Sequence, residues 1–195
     1  MKKISKVTVY CASSAKLAPK YFDAAQKVGE ILAQHDITAI YGGGAVGLMG
    51  QLADTMIANN GKIIGVMPAF MHQVEWQHKG ISELIVTQDM HERKKRFMED
   101  TDALLTLPGG CGTLEELLEA ITLKRLGVFI KPIIILNLDG FYDPLIEMLE
   151  RCISEKFMRT VHRDIWTIIN KPEELLEAIR NAPEWDHSAI DFAAV

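Results

Sequence analysis

Hydrophobic and polar positions along this chain switch repeatedly between two periods. Short apolar, β-branched runs at 7–10, 38–41, 63–67, 84–86, 103–107, 133–136 and 166–169 read as strands. Between them lie longer stretches with apolar residues three and four positions apart. These predict helices over 19–34, 48–60, from Met90 onward, from the turn at 108–110 to about 126, over 144–156 and over 172–180. In the first, Phe22, Ala25, Val28, Ile31 and Leu32 form the apolar stripe. Gly61 closes the second helix and Pro68 breaks the third strand. Beyond Pro183 the pattern lapses, and 183–195 reads as an irregular tail.

Strand–helix alternation with nearly continuous apolar strands predicts a mainly parallel sheet with helices on both faces. The fold class is therefore α/β and Rossmann-like, one domain over 1–195, without repeats or an internal linker. In such sheets ligands bind beyond the carboxyl ends of the strands.

Composition narrows the partners. The 195 residues are 48% apolar and 24% charged, an ordinary globular balance, with a net charge of −5. Nothing in that charge supports a general nucleic-acid or membrane surface, so any bound phosphate has to be held by a specific loop. Cys11, Cys111 and Cys152 are odd in number and widely spaced, which fits neither a disulfide framework nor a zinc ribbon. The six histidines match no metal-ligand spacing, and no metal site is expected. The apolar run after Met1 is too short for a signal segment, and a cytoplasmic protein is expected.

Two glycine loops stand at predicted strand ends. Gly42-Gly43-Gly44-Ala45-Val46-Gly47 satisfies G-x-G-x-x-G, but the next strand ends in Pro68 without the acid that a dinucleotide ribose needs. The loop reads equally as a tight turn and as one wall of a nucleotide site. Pro108-Gly109-Gly110-Cys111-Gly112-Thr113 is sharper, ending a wholly apolar strand and opening a helix. Converging backbone N–H groups and the helix dipole make such a turn an anion site. No G-K-[ST] follows, so the natural guest is a phosphate monoester rather than a triphosphate.

Glu115 and Glu116 follow at once. Thr113-Leu114-Glu115-Glu116 has the form of a capping box, in which Glu116 bonds back to the backbone of Thr113. Acids beside a phosphate cradle also suit a site where positive charge develops, as on a sugar ring losing its glycosidic bond. The two readings are evenly balanced at this level. Upstream, Asp89-Met90-His91-Glu92-Arg93-Lys94-Lys95-Arg96-Phe97 starts another helix, with Asp89 and Glu92 as a second capping box. Lys95 and Arg96 read as a solvated face. Arg93 and Lys94 fall on the stripe of Met90 and Phe97, where a guanidinium needs a partner or a ligand.

Taken together, Met90-His91-Glu92-Arg93-Lys94 and the segment from Pro108 to Glu116 resemble the M-H-x-R-K and P-G-G-x-G-T-x-x-E signatures of the LOG family. These are cytokinin riboside 5′-monophosphate phosphoribohydrolases. Tyr10-Cys11-Ala12-Ser13-Ser14, Tyr41-Gly42-Gly43-Gly44, Gly47-Leu48-Met49-Gly50, and Gly140 with Tyr142 extend the resemblance over most of the chain. It implies that Arg93 and Glu116 are the catalytic pair and that Lys94, Glu75 and Thr122 help line the substrate site. The stretch Gly109, Gly110, Cys111, Gly112 and Thr113 would hold the 5′-phosphate, beside Glu115. Cys111 stands where the family often has an aromatic residue. The resemblance also implies a homodimer with active sites near the interface. Leu114, Leu117, Leu118, Ile121, Leu123 and Leu126 point several ways around one helix, to be covered either by a second copy or by neighbouring helices of the same chain. Some relatives carry a lysine decarboxylase label, but no lysine here has a recognisable pyridoxal phosphate setting.

The activity implied is hydrolysis of the N-glycosidic bond of a purine nucleoside 5′-monophosphate, with adenine or an N6-substituted adenine as base and no cofactor. Glu116 would stabilise the charge building on the ribose, or hold the ribose hydroxyls and the attacking water. Arg93, which does not readily deprotonate, would act electrostatically. Two rivals remain: an enzyme using Cys111 as nucleophile, and a nucleotide-binding sensor without turnover.

Overall fold

β1 (Lys6–Tyr10) is the middle strand of a seven-stranded sheet ordered β4-β3-β2-β1-β5-β6-β7. The others are β2 (Thr38–Tyr41), β3 (Ile63–Pro68), β4 (Glu83–Thr87), β5 (Ala103–Thr106), β6 (Ile133–Leu136) and β7 (Trp166–Ile169), and every pairing is parallel. The computed structural model describes residues 3–73 and 77–193. Helices α1 (Pro19–Gln34), α2 (Gly47–Ala58), α3 (Met90–Glu99), α4 (Cys111–Arg125), α5 (Asp143–Ser154) and α6 (Leu175–Asn181) connect the strands. This is the Rossmann-like α/β fold that the periodicity predicts.

Side-chain alternation along β1 divides the core in two. Val7 and Val9 point into one cluster with Leu32, Leu48, Leu52 and Leu175, under α1, α2 and α6. Tyr10 points into the other, with Phe97, Leu117, Ile121 and Leu149 from α3, α4 and α5. Among the described residues no helix is long and apolar enough to cross a membrane.

The departures from expectation are local. α2 ends at Ala58, and Asn60 rather than Gly61 takes the positive φ, 55°. Gly61 is needed for space, because a Cβ there would meet Met56 Cε at 2.8 Å and Ala33 Cβ at 2.9 Å. The helix predicted over 172–180 splits into a 3₁₀ turn at Pro172–Glu174 and α6. The tail has structure too. His187–Phe192 forms a 3₁₀ turn, Trp185 Nε1 donates to the Lys124 carbonyl at 2.6 Å, and His187 Nδ1 bonds the Gly127 carbonyl at 2.6 Å. These contacts are too distant in sequence for periodicity to show them.

Candidate active site

The chain winds from β1 outward to β4 on one side, then returns to β5 on the other, so the direction reverses between β1 and β5. A crevice beyond the carboxyl ends is expected there. A cavity of about 340 Å³ occupies it, lined by Ser13 and Ser14 after β1, Gly42 after β2, and residues 110–113 opening α4. Arg93 and Glu116 reach into it from α3 and α4.

The end of β5 is pinned from two directions. Leu107 N donates to the Tyr10 carbonyl at 2.9 Å, and the Tyr142 hydroxyl donates to the Leu107 carbonyl at 2.8 Å. Burial holds the Tyr142 phenol well above its ordinary pKa, so it stays a donor. α4 starts at Cys111 with Gly110 as its N-cap, and no side chain caps it. Thr113 is buried and folds over Gly109, where a Cβ would collide with Thr113 Oγ1. A Cβ at Gly110 or Gly112 would meet nothing within 4 Å. The helix start is therefore both uncapped and sterically open, as an anion site requires.

This geometry corrects the capping reading of Glu116. With Gly110 as N-cap, Thr113 is already the third helical residue, and Glu116 turns away toward α3. The cap at Asp89 does form: its Oδ1 accepts from Glu92 N at 2.8 Å. The reciprocal arm is displaced by one residue, Glu92 Oε2 accepting from Gln88 N at 2.7 Å.

That cap sets the phase of α3 and turns Arg93 inward, where it is only 7% exposed. Its Nε donates to the Val66 carbonyl at 3.0 Å, Nη2 to the Gly42 carbonyl at 3.5 Å, and Nη1 to Glu116 Oε1 at 3.2 Å. The guanidinium lies 5.0 Å from the centre of the Phe97 ring. Gly42 makes this approach possible, since a Cβ there would sit 2.7 Å from Arg93 Nη2. The glycines of the G-x-G-x-x-G segment are needed for close approach in two places. Gly42 lines the cavity, while Gly47, at φ +67°, lies against the Ser13 backbone.

Burial raises the Glu116 carboxyl to a pKa of about 7. Arg93 opposes that shift and Glu115 adds to it. Burial, with the Glu116 charge next, raises the neighbouring Tyr10 phenol well above its ordinary value. The cleft therefore holds a permanent cation beside an acid poised between two charge states at neutral pH.

The remaining expected residues are arranged differently. Cys111 is exposed and lines the cavity. Lys94 pairs with Glu115 at 2.6 Å and Glu119 at 2.9 Å, and neither Lys94 nor Glu115 lines the cavity. Thr122 is exposed and donates to the Leu118 carbonyl at 2.8 Å, also away from the cavity. Glu75 lies outside the described residues. Met71, Glu119 and the propping role of Tyr142 went unforeseen. Glu119 carries a signal in retrospect, standing one helical turn from Glu115 on the same face. Met71 carries none, because only packing brings it here, and Tyr142 was marked by the family resemblance without its role.

Comparison with known proteins places this arrangement. A family profile described as "Possible lysine decarboxylase" matches residues 49–179. The chain is 38% identical over 174 residues to the probable cytokinin riboside 5′-monophosphate phosphoribohydrolase LOGL1 of Oryza sativa subsp. japonica, covering 89% of this chain and 78% of that protein. It is 36% identical over 185 residues to the cytokinin riboside 5′-monophosphate phosphoribohydrolase LOG7 of Arabidopsis thaliana, covering 94% and 85%. In fold it matches the molybdenum cofactor binding protein of Rippkaea orientalis, with TM-score 0.69, 23% identity, and 92% and 97% of the two chains covered. It also matches the molybdenum cofactor carrier protein of Chlamydomonas reinhardtii, with TM-score 0.70, 18% identity, and 92% and 98% covered. Among the described residues no lysine lines the cavity, so a carbonyl cofactor needing a lysine amine does not fit it.

Proposed function

The chain belongs to the family of the cytokinin riboside 5′-monophosphate phosphoribohydrolases, and on that premise we propose that it hydrolyses purine nucleoside 5′-monophosphates to free base and ribose 5-phosphate. The observation that carries this reading is the buried Arg93–Glu116 pair at 3.2 Å, facing the same cavity as the uncapped start of α4. The 5′-phosphate sits on the N–H groups of residues 110–113, where Gly110 and Gly112 leave room and the helix dipole favours an anion. That anchor puts the ribose against Glu116.

In the reaction the C1′–N bond breaks with its electron pair leaving on the base, and the oxygen of water joins C1′. One proton of that water ends on the base and the other remains on the ribose hydroxyl. Ionised Glu116 opposes the positive charge that builds on the sugar, and the burial of its side chain, only 11% exposed, strengthens the interaction. Arg93, fixed by the Val66 and Gly42 carbonyls, offers donors to the sugar or the leaving base without giving up a proton. Adenine and N6-substituted adenines are the proposed bases. A cytoplasmic homodimer belongs to the same reading.

The test is a product screen over AMP, adenosine and ATP. AMP should be turned over with kcat/KM at least about 100-fold above adenosine, because the phosphate's binding energy is lost in the nucleoside. Equal rates on AMP and adenosine would remove the phosphate assignment.

A further inference from the structure

The last turn of α4 meets the tail over a group of buried bases, none of which lines the cavity. His162, in the 3₁₀ turn Thr160–Ile165, is fully buried. Its Nδ1 accepts from Arg159 N at 3.0 Å, which assigns the ring proton to Nε2. That nitrogen is buried and has no partner among the described residues. Two guanidiniums act on the ring, Arg125 from α4 and Arg159 at the start of the turn. From the tail, Phe192 stacks on it with ring centres 6.4 Å apart, and Trp185 meets Phe192 edge-on at 5.7 Å. Trp185 also covers Lys124, which is 1% exposed, its Nζ 5.8 Å from the indole centre. Asp164 is the carboxylate whose charge acts on that ammonium. The tail brings no acid to His162: Asp186 accepts from Ser188, and Glu184 and Asp191 are exposed.

We propose that the tail from Pro183 to Ala193 is an acid-released strap, docked on α4 while His162 is neutral and let go when that imidazole takes up a proton. A protonated ring would point Nδ1–H at the Arg159 N–H, so the bond between them is lost. The new charge would also be buried beside two guanidiniums with no carboxylate against it. Burial, then Arg125 and Arg159, accordingly hold the His162 pKa below its ordinary 6.5. An undocked ring binds its proton more readily, so docking is intact above pH 6.5 and weakens as pH falls below it. The tail yields first because it is the most weakly held cover. Its polar ties to α4 and the turn after it are the Trp185 bond to the Lys124 carbonyl and the His187 bond to the Gly127 carbonyl. The turn beneath is anchored in the core by fully buried Ile165. Release leaves those two carbonyls open and lets water reach Lys124, whose amine burial had lowered to about 8. α4 is thereby loosened from the end opposite Glu116.

The experiment is a ¹H–¹⁵N NMR titration of the full-length chain without substrate, following the Trp185 indole N–H, with Trp185→Phe assigning the resonance. On acidification that signal should move to the position of a free indole with a midpoint below pH 6.5. The indole of Trp166, 7% exposed in the sheet, should stay in place and report an intact core. His162→Asn offers an acceptor to Arg159 N but does not titrate, so its tail should stay docked to at least about one pH unit lower. Arg125→Gln removes one of the charges that oppose protonation, weakens the coupling, and should also move release to lower pH. A Trp185 signal unmoved down to about pH 4.5 in the parent overturns the proposal. So does loss at one common pH in the parent and either variant, which would assign the transition to another group. Simultaneous loss of the Trp166 signal overturns it as well, because the whole fold rather than the strap would then be opening.

Discussion

Arg93 Nη1 and Glu116 Oε1 meet at 3.2 Å, joining α3 to α4 with side-chain exposures of only 9% and 11%. An ion pair so far removed from water costs desolvation energy that its own attraction barely returns. Here the acid is left near its ionisation midpoint rather than fully charged. The arrangement is a poor way to hold two helices together and a good way to keep a carboxylate available to a cationic transition state.

Glu116→Gln should lower kcat by about 100-fold or more while the fold persists, since the amide is the same size and still accepts from Arg93. Its effect on stability has a defined sign. The carboxyl pKa rises from 4.5 to about 7 on folding, so the folded chain binds more protons between those values and loses stability as pH rises from 4.5 to 7. The burden at higher pH is at most on the order of 3 kcal/mol. Chemical denaturation across pH 4–8 should show a flatter profile for the variant. An identical pH dependence in both proteins would exclude a raised Glu116 pKa.

Gly42→Ala should separate positioning from folding. The added Cβ would meet Arg93 Nη2 at 2.7 Å and Met49 Sδ at 2.8 Å, both ends of flexible side chains that can move aside. The expected outcome is a melting temperature within about 5 °C of the parent and a loss in kcat of roughly 10- to 100-fold as the guanidinium shifts. Unaltered kinetics would show that the placement of Arg93 does not matter to the reaction.

Cys111→Ser should keep at least about a third of parental kcat/KM, because the reaction proposed here needs no covalent nucleophile. Cys111 is exposed at the cavity wall, so a thiol reagent can block the site without the sulfur taking part. Complete loss in the serine variant, with inactivation by thiol reagents prevented by AMP, would favour a cysteine mechanism instead.

Light scattering should return a mass near twice 21.8 kDa. Of the α4 side chains that prompted this expectation, Leu117 and Ile121 are buried within the chain, and Leu114 and Leu123 pack partly against the same core. Leu118 stays 40% exposed, and Thr122 is exposed one turn on. A two-fold contact over that strip would cover both. A fully active monomer at assay concentration would end the dimer proposal.

Periodicity alone determined the order and kind of the elements. α1 at Pro19–Gln34, β2 at Thr38–Tyr41, β6 at Ile133–Leu136 and β7 at Trp166–Ile169 begin and end where the pattern places them. That follows because the period of a strand or helix is a property of neighbouring residues. The need of Arg93 for a buried partner was legible for the same reason, since it stands on the apolar stripe of α3. The identity of the partner was not. Thr113-Leu114-Glu115-Glu116 has the local form of a cap, and only the packing of α4 against α3 sends Glu116 to Arg93 and Glu115 to Lys94. Thr122 and the segment after Pro183 follow the same rule: one is turned to the surface and the other is drawn onto the Lys124 and Gly127 carbonyls by distant contacts. Local sequence sets which face of a helix is apolar, but the meeting of two faces depends on the sheet between them, and the charge on Glu116 is decided there.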